Sequence, residues 1–315
     1  MRIGYLVGSD SQARIVPDGT GVDTRGNTDL FLLRTRDPRG YGRIHITPGY
    51  FRQSFRYDLA RFDVLLNLVT DADQNPKVLA NLVKLLKTYD GRVINRPERV
   101  LRSTREQVAA VCAGLPHVEA PRAIRIGPGG RAPPDFPFPA ILRLAGTHTG
   151  RVIGLVRSAE ELAEQLVKGR QHILTEFREF RSGDGLYRKY RFVFIGGEIV
   201  MRHLLVSDDW NVHAADRARF MRPRPELIAE ERDAIGYGMQ GFPHGVRTGL
   251  AAIRDAVGLD LFGLDCAITA AGDLILFEAN ATMNFFPFCD DPVFAYLGTA
   301  LARAQAAFDR LLFGS

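Results

Sequence analysis

Along the first hundred residues, apolar positions follow two different periods. Continuous or near-continuous apolar runs at Arg2–Gly8, Leu30–Thr35 and Phe62–Val69 predict strands buried on both faces, and Arg92–Asn95 predicts a shorter one. Between them, Asn75–Lys87 places Val78, Leu79, Leu82, Val83, Leu85 and Leu86 at helical spacing. Strands alternating with a helix predict a small parallel α/β sheet. Asp10–Asn27, rich in Gly, Asp and Thr, predicts a long loop that either serves a site or is merely mobile.

Two helix starts carry the S-x-x-E pattern, Ser103 with Glu106 and Ser158 with Glu161, in which each side chain satisfies the other's orphan amide. They predict helices to about Ala113 and Lys168. The Gly- and Pro-rich stretch Gly127–Pro139 separates two structural units. Beyond it the pattern turns strand-rich: Phe138–Leu144, Arg151–Val156, His172–Phe177, Leu186–Ile195 and Glu198–Val206, with Gly196-Gly197 as a hairpin turn. The polar, Pro-broken segment Ser207–Pro225 has no clear period. A helix over Val246–Val257 leads to the strand pair Leu261–Thr269 and Leu274–Asn280, joined by Ala270-Ala271-Gly272-Asp273, and Asp290–Phe313 closes mostly as helix.

With 46% hydrophobic and 24% charged residues, the 315-residue chain is too apolar for disorder and long enough for lobes around a cleft. A net charge of +5 is too diffuse to argue for nucleic acid but suits an anionic ligand. Cys112, Cys266 and Cys289 form no CxxC pair, so neither a disulfide framework nor a zinc site is expected, which fits a reducing cytoplasm. Met1–Gly8 is too short for a signal-peptide core, and no run approaches the roughly 20 apolar residues of a membrane span. A soluble cytoplasmic protein is expected, with a homodimer as the common oligomeric case.

Three groups of residues carry chemistry. In Leu274–Asn280, strand alternation puts Glu278 and Asn280 on one face, and Asp265 is a cross-strand neighbour if the hairpin forms. Two carboxylates and an amide oxygen are hard ligands suited to Mg²⁺; the alternative is a polar strand end facing solvent. The segment Gly146-Thr147-His148-Thr149-Gly150-Arg151-Val152-Ile153-Gly154 could cradle phosphate through its amides or be an ordinary glycine-rich hairpin. Lys189 and Arg191 share a strand face, and Arg143 lies in another apolar strand. Cations so placed need an anion, either a polyphosphate or Glu176, Glu179 and Asp184. Trp210, the one tryptophan, stands in Ser207–His213, where it lines an acceptor pocket or anchors a loop. His203 faces the phosphates or is structural. Asp71-x-Asp73-x-Asn75 begins like a calcium loop, but Pro76 and Leu82 occupy the positions that need Gly and Glu.

Taken in order, these groups over Asn95–Asn284 resemble the ATP-grasp ligase superfamily, particularly its glutathione synthetase and RimK-like branch. The resemblance implies an α+β ATP-grasp fold. Residues 1–97 would form a pre-ATP-grasp α/β domain, 98–126 a helical linker region, 127–180 the small lobe and 181–315 the C-terminal lobe with the metal site. It implies ATP bound with one or two Mg²⁺ ions, or Mn²⁺. The hinge Glu176-Phe177-Arg178 would hold adenine, and Glu179 or Asp184 the ribose. Gly146, Thr147, Thr149 and Gly150 belong to the phosphate loop, and Arg102, Arg143, Lys189 and Arg191 hold the phosphates. Lys189 and Arg191 also offset charge during transfer, and Asp265, Glu278 and Asn280 hold the metal. The family carries lysines at the positions matched to Arg102 and Arg143; arginine keeps the charge but presents a planar fork. The implied activity is ATP-dependent joining of a carboxylate to an amine through an acyl phosphate, or to a hydroxyl as an ester. The substrates would be small molecules or peptides, with neither nucleic acid nor membrane as partner. The alternatives are an enzyme modifying a ribosomal peptide or protein, and a nucleotide-binding regulatory module without turnover.

Overall fold

In the computed structural model, which describes residues 1–11, 14–15, 22–23, 26–35, 41–146, 152–282 and 291–314, the apolar run Ile3–Gly8 (β1) becomes an inner strand. A two-stranded antiparallel pair follows, Arg14–Ile15 (β2) with Val22–Asp23 (β3). Tyr41–Ile46 (β4), Val64–Asn67 (β5) and Arg92–Ile94 (β6) join β1 in a parallel sheet of order β4-β1-β5-β6. Pro76–Leu85 (α1) buries Val78, Leu79 and Leu82 in the core this sheet shares, as its spacing predicts. At Gly8 a side chain is excluded, because a Cβ there would lie 2.1 Å from the Ile46 carbonyl and 2.9 Å from Val78.

The run Leu30–Thr35 does not form the expected strand. Phe31–Leu33 is a 3₁₀ turn, Leu30 and Leu33 are buried, and the Thr35 hydroxyl donates to the Asp309 carboxylate at 2.6 and 2.8 Å. The sheet edge belongs instead to β4, where Ile44 and Ile46 are buried while Arg43 and His45 are exposed. An edge strand with one wet face shows a weaker apolar pattern than a buried turn.

Pro97–Val100 (α2) and Arg105–Cys112 (α3) lead to Val118–Glu119 (β7) and Ala123–Ile126 (β8). The start of α3 is displaced by one residue from the predicted box. Thr104 is the N-cap, its N–H donating to Gln107 Oε1 at 3.3 Å, while Glu106 instead accepts from Arg125 Nε at 2.7 Å. Ala140–Leu144 (β9), Val152–Val156 (β10) and His172–Glu176 (β11) build an antiparallel sheet of order β10-β9-β11-β8. Ala159–Gln165 (α4) covers it, with Ser158 capping the Glu161 N–H at 3.2 Å as expected. This sheet has its own core of Ile126, Leu142, Val156, Leu162 and Leu174.

Tyr187–Ile195 (β12) and Glu198–Ser207 (β13) pair across the Gly196-Gly197 turn. Pro225–Tyr237 (α5) and His244–Val257 (α6) precede Leu261–Ile268 (β14) and Leu274–Asn280 (β15), and Leu297–Phe313 (α7) ends the chain's described fold. The sheet order is β13-β12-β14-β15-β7. Helix α5 is not evident from periodicity, because its buried face, Leu227, Glu231 and Ile235, has a carboxylate at its centre. Cys112 and Cys266 are buried free thiols, and Cys289 lies outside the described residues, as does Asp290. Among the described residues no helix is long and apolar enough to cross a membrane.

Asn95 ties the first sheet to the last. It adopts a left-handed φ of 56°, its Nδ2 donates to the Leu261 carbonyl at 2.7 Å, and its Oδ1 accepts from the Leu261 N–H at 2.9 Å. Asp260 accepts from the Asn95 N–H, and Asn67 Nδ2 donates to the Asn95 carbonyl. Asn95→Ala loses two buried hydrogen bonds and strains the backbone, so denaturant unfolding is expected to show a loss of about 2–4 kcal/mol. Asn95→Gly should recover only the backbone part.

Candidate functional site

Alternation along β12 sends Lys189 and Arg191 to the same face. Register does the rest: Arg191 lies opposite His203 on β13 and opposite Asp265 on β14, and Asp265 lies opposite Glu278 on β15. His203, Arg191, Asp265 and Glu278 thus form one row across four strands, with Asn280 two residues beyond Glu278. Facing the row, β9 contributes Arg143 and β10 contributes Val152. The two sheets enclose a cavity of about 550 Å³.

The row is held by ion pairs. Arg191 grips Asp265 through both nitrogens, Nε at 2.5 Å and Nη2 at 2.6 Å, and reaches Glu278 at 3.9 Å. Lys189 donates to the Val212 carbonyl at 2.6 Å and stands 3.8 Å from Asp265. Arg105, in the first turn of α3, pairs with Glu278 and donates to the Phe277 carbonyl at 2.7 Å. Burial opposes ionisation of both carboxylates, yet Arg191 and Lys189 beside Asp265, and Arg105 beside Glu278, hold both below the ordinary range. The stability they contribute is present above the ordinary carboxylate range and is lost as pH falls through their lowered values, so both are ionised at neutral pH. Burial draws Arg143 down to about 10, with Arg105 adding to it, and lowers Lys189. Five cations (Arg105, Arg143, Arg178, Lys189 and Arg191) therefore stand against three carboxylates (Glu176, Asp265 and Glu278) on the cavity wall. That excess suits a polyanion.

Half of the expected residues meet at this cavity. Arg143, Glu176, Phe177, Arg178, Lys189, Arg191, Asp265 and Glu278 line it. The hinge is fixed by backbone hydrogen bonds, Glu176 N–H to the Arg122 carbonyl at 2.8 Å and Phe177 N–H to the Pro139 carbonyl at 2.9 Å. Asn280 and Gly146, the latter at φ +67°, line an adjoining cavity of about 110 Å³ together with Asp71, Asp73 and Thr282. Thr28 and Thr282 both bond to Thr70 there, at 2.8 and 3.0 Å, which docks the first sheet's loops on the end of β15. Thr147, Thr149 and Gly150, with residues 147–151 of the glycine-rich segment, lie outside the described residues.

Three expected residues are not brought in. Arg102 is exposed and absent from the wall; Arg105, three residues on, takes that place. Asp184 is engaged with Arg188 at 2.8 and 3.0 Å, whose hydrogen bonding lowers its carboxyl to about 2. Glu179 is exposed and accepts the N–H groups of Phe180 and Arg181 in its own turn. Nor do Glu176, Glu179 and Asp184 neutralise Lys189 and Arg191, which turn to Asp265, while Glu176 pairs with Arg178. Trp210 is a wall residue, its ring edge-on to Phe177 with centroids 5.6 Å apart. Its sequence signal was its position as the sole tryptophan beside two acids and a histidine (Asp208, Asp209 and His213), which does not separate a pocket wall from an anchor.

Among the described residues no three His, Cys, Asp or Glu side chains gather as a metal site. The expected set differs in kind: Asp265 and Glu278 are carboxylates opposite one another, and the Asn280 Oδ1 atom is buried without a hydrogen-bond partner. An all-oxygen set with an unmet amide oxygen fits a hard divalent cation.

No family model and no curated protein matches the chain. Solved structures do. The macrocyclase MdnC from Microcystis aeruginosa MRC, bound with precursor peptide MdnA, aligns at a TM-score of 0.50 and 12% identity, over 96% of this chain and 99% of its own. The ADP complex of purK, an N5-carboxyaminoimidazole ribonucleotide synthetase, aligns at 0.50 and 13% identity, over 90% and 71%. A RimK domain ATP-grasp protein from Sphaerobacter thermophilus DSM 20745 aligns at 0.49 and 16% identity, over 97% and 98%. At such identities the likeness is one of fold.

Proposed function

We propose that this chain, which has the ATP-grasp fold, is an ATP-dependent carboxylate–amine ligase. The observation that carries this reading is the cation-rich cleft whose floor is the row Arg191–Asp265–Glu278. Bound ADP in the purK structure supports a nucleotide in the same fold. Phe177 and Trp210 would flank the base, and Arg143, Lys189 and Arg191 the phosphates.

In the reaction proposed, a substrate carboxylate oxygen attacks the γ-phosphorus of ATP while the bond to the β–γ bridging oxygen breaks, giving an acyl phosphate and ADP. An amine nitrogen then attacks the acyl carbon, the carbon–oxygen bond to phosphate breaks, and the amine loses a proton. Arg143, Lys189 and Arg191 offset charge on the transferring group. Asp265, Glu278 and Asn280 would hold Mg²⁺, which when bound neutralises phosphate charge. Arg105 lines both cavities and would orient the acyl group between them.

An ADP-release assay across carboxylate and amine libraries, peptides included, tests the reading. Release that requires both partners, with product mass equal to their sum less water, is expected. Release independent of any carboxylate, or none with any pair, would count against it. Arg143→Ala should weaken ATP binding by at least about tenfold while changing unfolding stability little; calorimetry beside denaturant unfolding checks this.

A further inference from the structure

Among the described residues, two polar atoms of the cleft wall are left without a hydrogen-bond partner, the Thr175 hydroxyl and His203 Nε2, and only the second stands in the row. His203 is 6% exposed, faces Arg191 across the strands and lines the larger cavity. Its Nδ1 meets Arg202 Nη1. A guanidinium N–H can only donate, so Nδ1 accepts, and the single proton of a neutral ring must sit on Nε2. Burial, and then the charges of Arg202, Arg191, Arg217 and Lys189, keep the ring neutral. Nε2–H is consequently a donor of fixed direction in the cleft wall, and it has no hydrogen-bond partner.

A buried donor without an acceptor is unfavourable, and an acceptor arriving in the cleft relieves that. The neighbouring cations select an anion for this space. A neutral N–H adds direction without adding charge, which distinguishes one oxygen of a polyphosphate from the rest. We infer that His203 donates its Nε2–H to a phosphoryl oxygen of the bound nucleotide and so fixes the orientation of the phosphate chain. This rests on the reading of the cleft as an ATP site.

The test compares ADP, Mg²⁺-ATP and adenosine binding by calorimetry in wild-type protein, His203→Phe and His203→Gln. Phe keeps an aromatic ring but removes both nitrogens, the Nε2–H donor and the Nδ1 acceptor of Arg202; Gln returns an N–H near the same position. His203→Phe should lose roughly ten- to hundredfold in ADP and ATP affinity with adenosine affinity unchanged, and His203→Gln should recover most of it. Equal nucleotide affinity in His203→Phe, or equal loss of ADP and adenosine, would overturn the inference alone. Wild-type protein that binds no nucleotide would overturn the ligase reading as well. Should His203→Phe fail to fold, ¹⁵N spectra of the wild-type histidines decide. The Nε2–H tautomer with an Nε2 resonance that moves on ADP but not adenosine is expected, and an unmoved resonance overturns the inference.

Discussion

Glu278→Ala is expected to reduce nucleotide-dependent ADP release by a factor on the order of 10²–10³ or more. Glu278 stands where three demands meet. It faces Asp265 across the hairpin, it receives Arg105 from α3, and it lines both cavities. Removing it leaves Arg105 and Arg143 close together without their shared carboxylate, and takes one oxygen donor from the proposed metal set. Glu278→Gln separates the contributions, because the amide keeps the volume and one acceptor oxygen but not the charge. Both variants should fall in turnover, with Glu278→Gln the better folded. Turnover at the wild-type level in either would remove Glu278 from the site.

The largest effect on stability is expected at Glu231, behind the same sheet. This glutamate is fully buried in α5 and accepts from Arg217 at 2.5 and 2.6 Å, from the Leu204 N–H at 3.0 Å and from the Tyr296 hydroxyl at 2.6 Å. It therefore joins β13, the turn at Arg217–Met221 and the segment entering α7, next to His203. Burial pushes the Tyr296 hydroxyl up, and Glu231 adds to that shift. Glu231→Ala leaves the Arg217 charge unpaired beneath the sheet, for which a loss of about 3–5 kcal/mol is expected by denaturant unfolding. Glu231→Gln should lose less, since an amide keeps part of the hydrogen bonding. A loss below about 1 kcal/mol in Glu231→Ala would mean the pair contributes nothing net.

These two residues mark the range of what the sequence disclosed. Glu278 was legible because it follows the apolar run Leu274–Phe277 in a strand whose partner carries Asp265, so one hairpin register sufficed to bring them together. Lys189 and Arg191 were legible for the same reason, since strand alternation assigns a face without tertiary information. Glu231 was not, because a charged residue at the centre of a helix's buried face resembles a solvated one until its partners from β13 and α7 are known. Arg102 was named only because the resemblance matches its position to a lysine of the family, while Arg105, three residues on in the first turn of α3, is the arginine that reaches the wall. Glu179 and Asp184 were given the ribose only by the resemblance; Glu179 accepts N–H groups of its own turn, and Asp184 is taken by Arg188 of β12. Leu30–Thr35 failed as a strand because a short apolar run does not by itself distinguish a strand from a buried turn.

In the proposed ligase, the row across β13, β12, β14 and β15 is the floor of the nucleotide site. Titration calorimetry of the full chain with ATP in the presence of Mg²⁺ tests it most directly, with Arg191→Gln alongside. One saturable site per chain is expected, weakened in Arg191→Gln by at least about tenfold, or roughly 1.4 kcal/mol. No saturable heat in wild-type protein, or equal affinity in the two proteins, would contradict it.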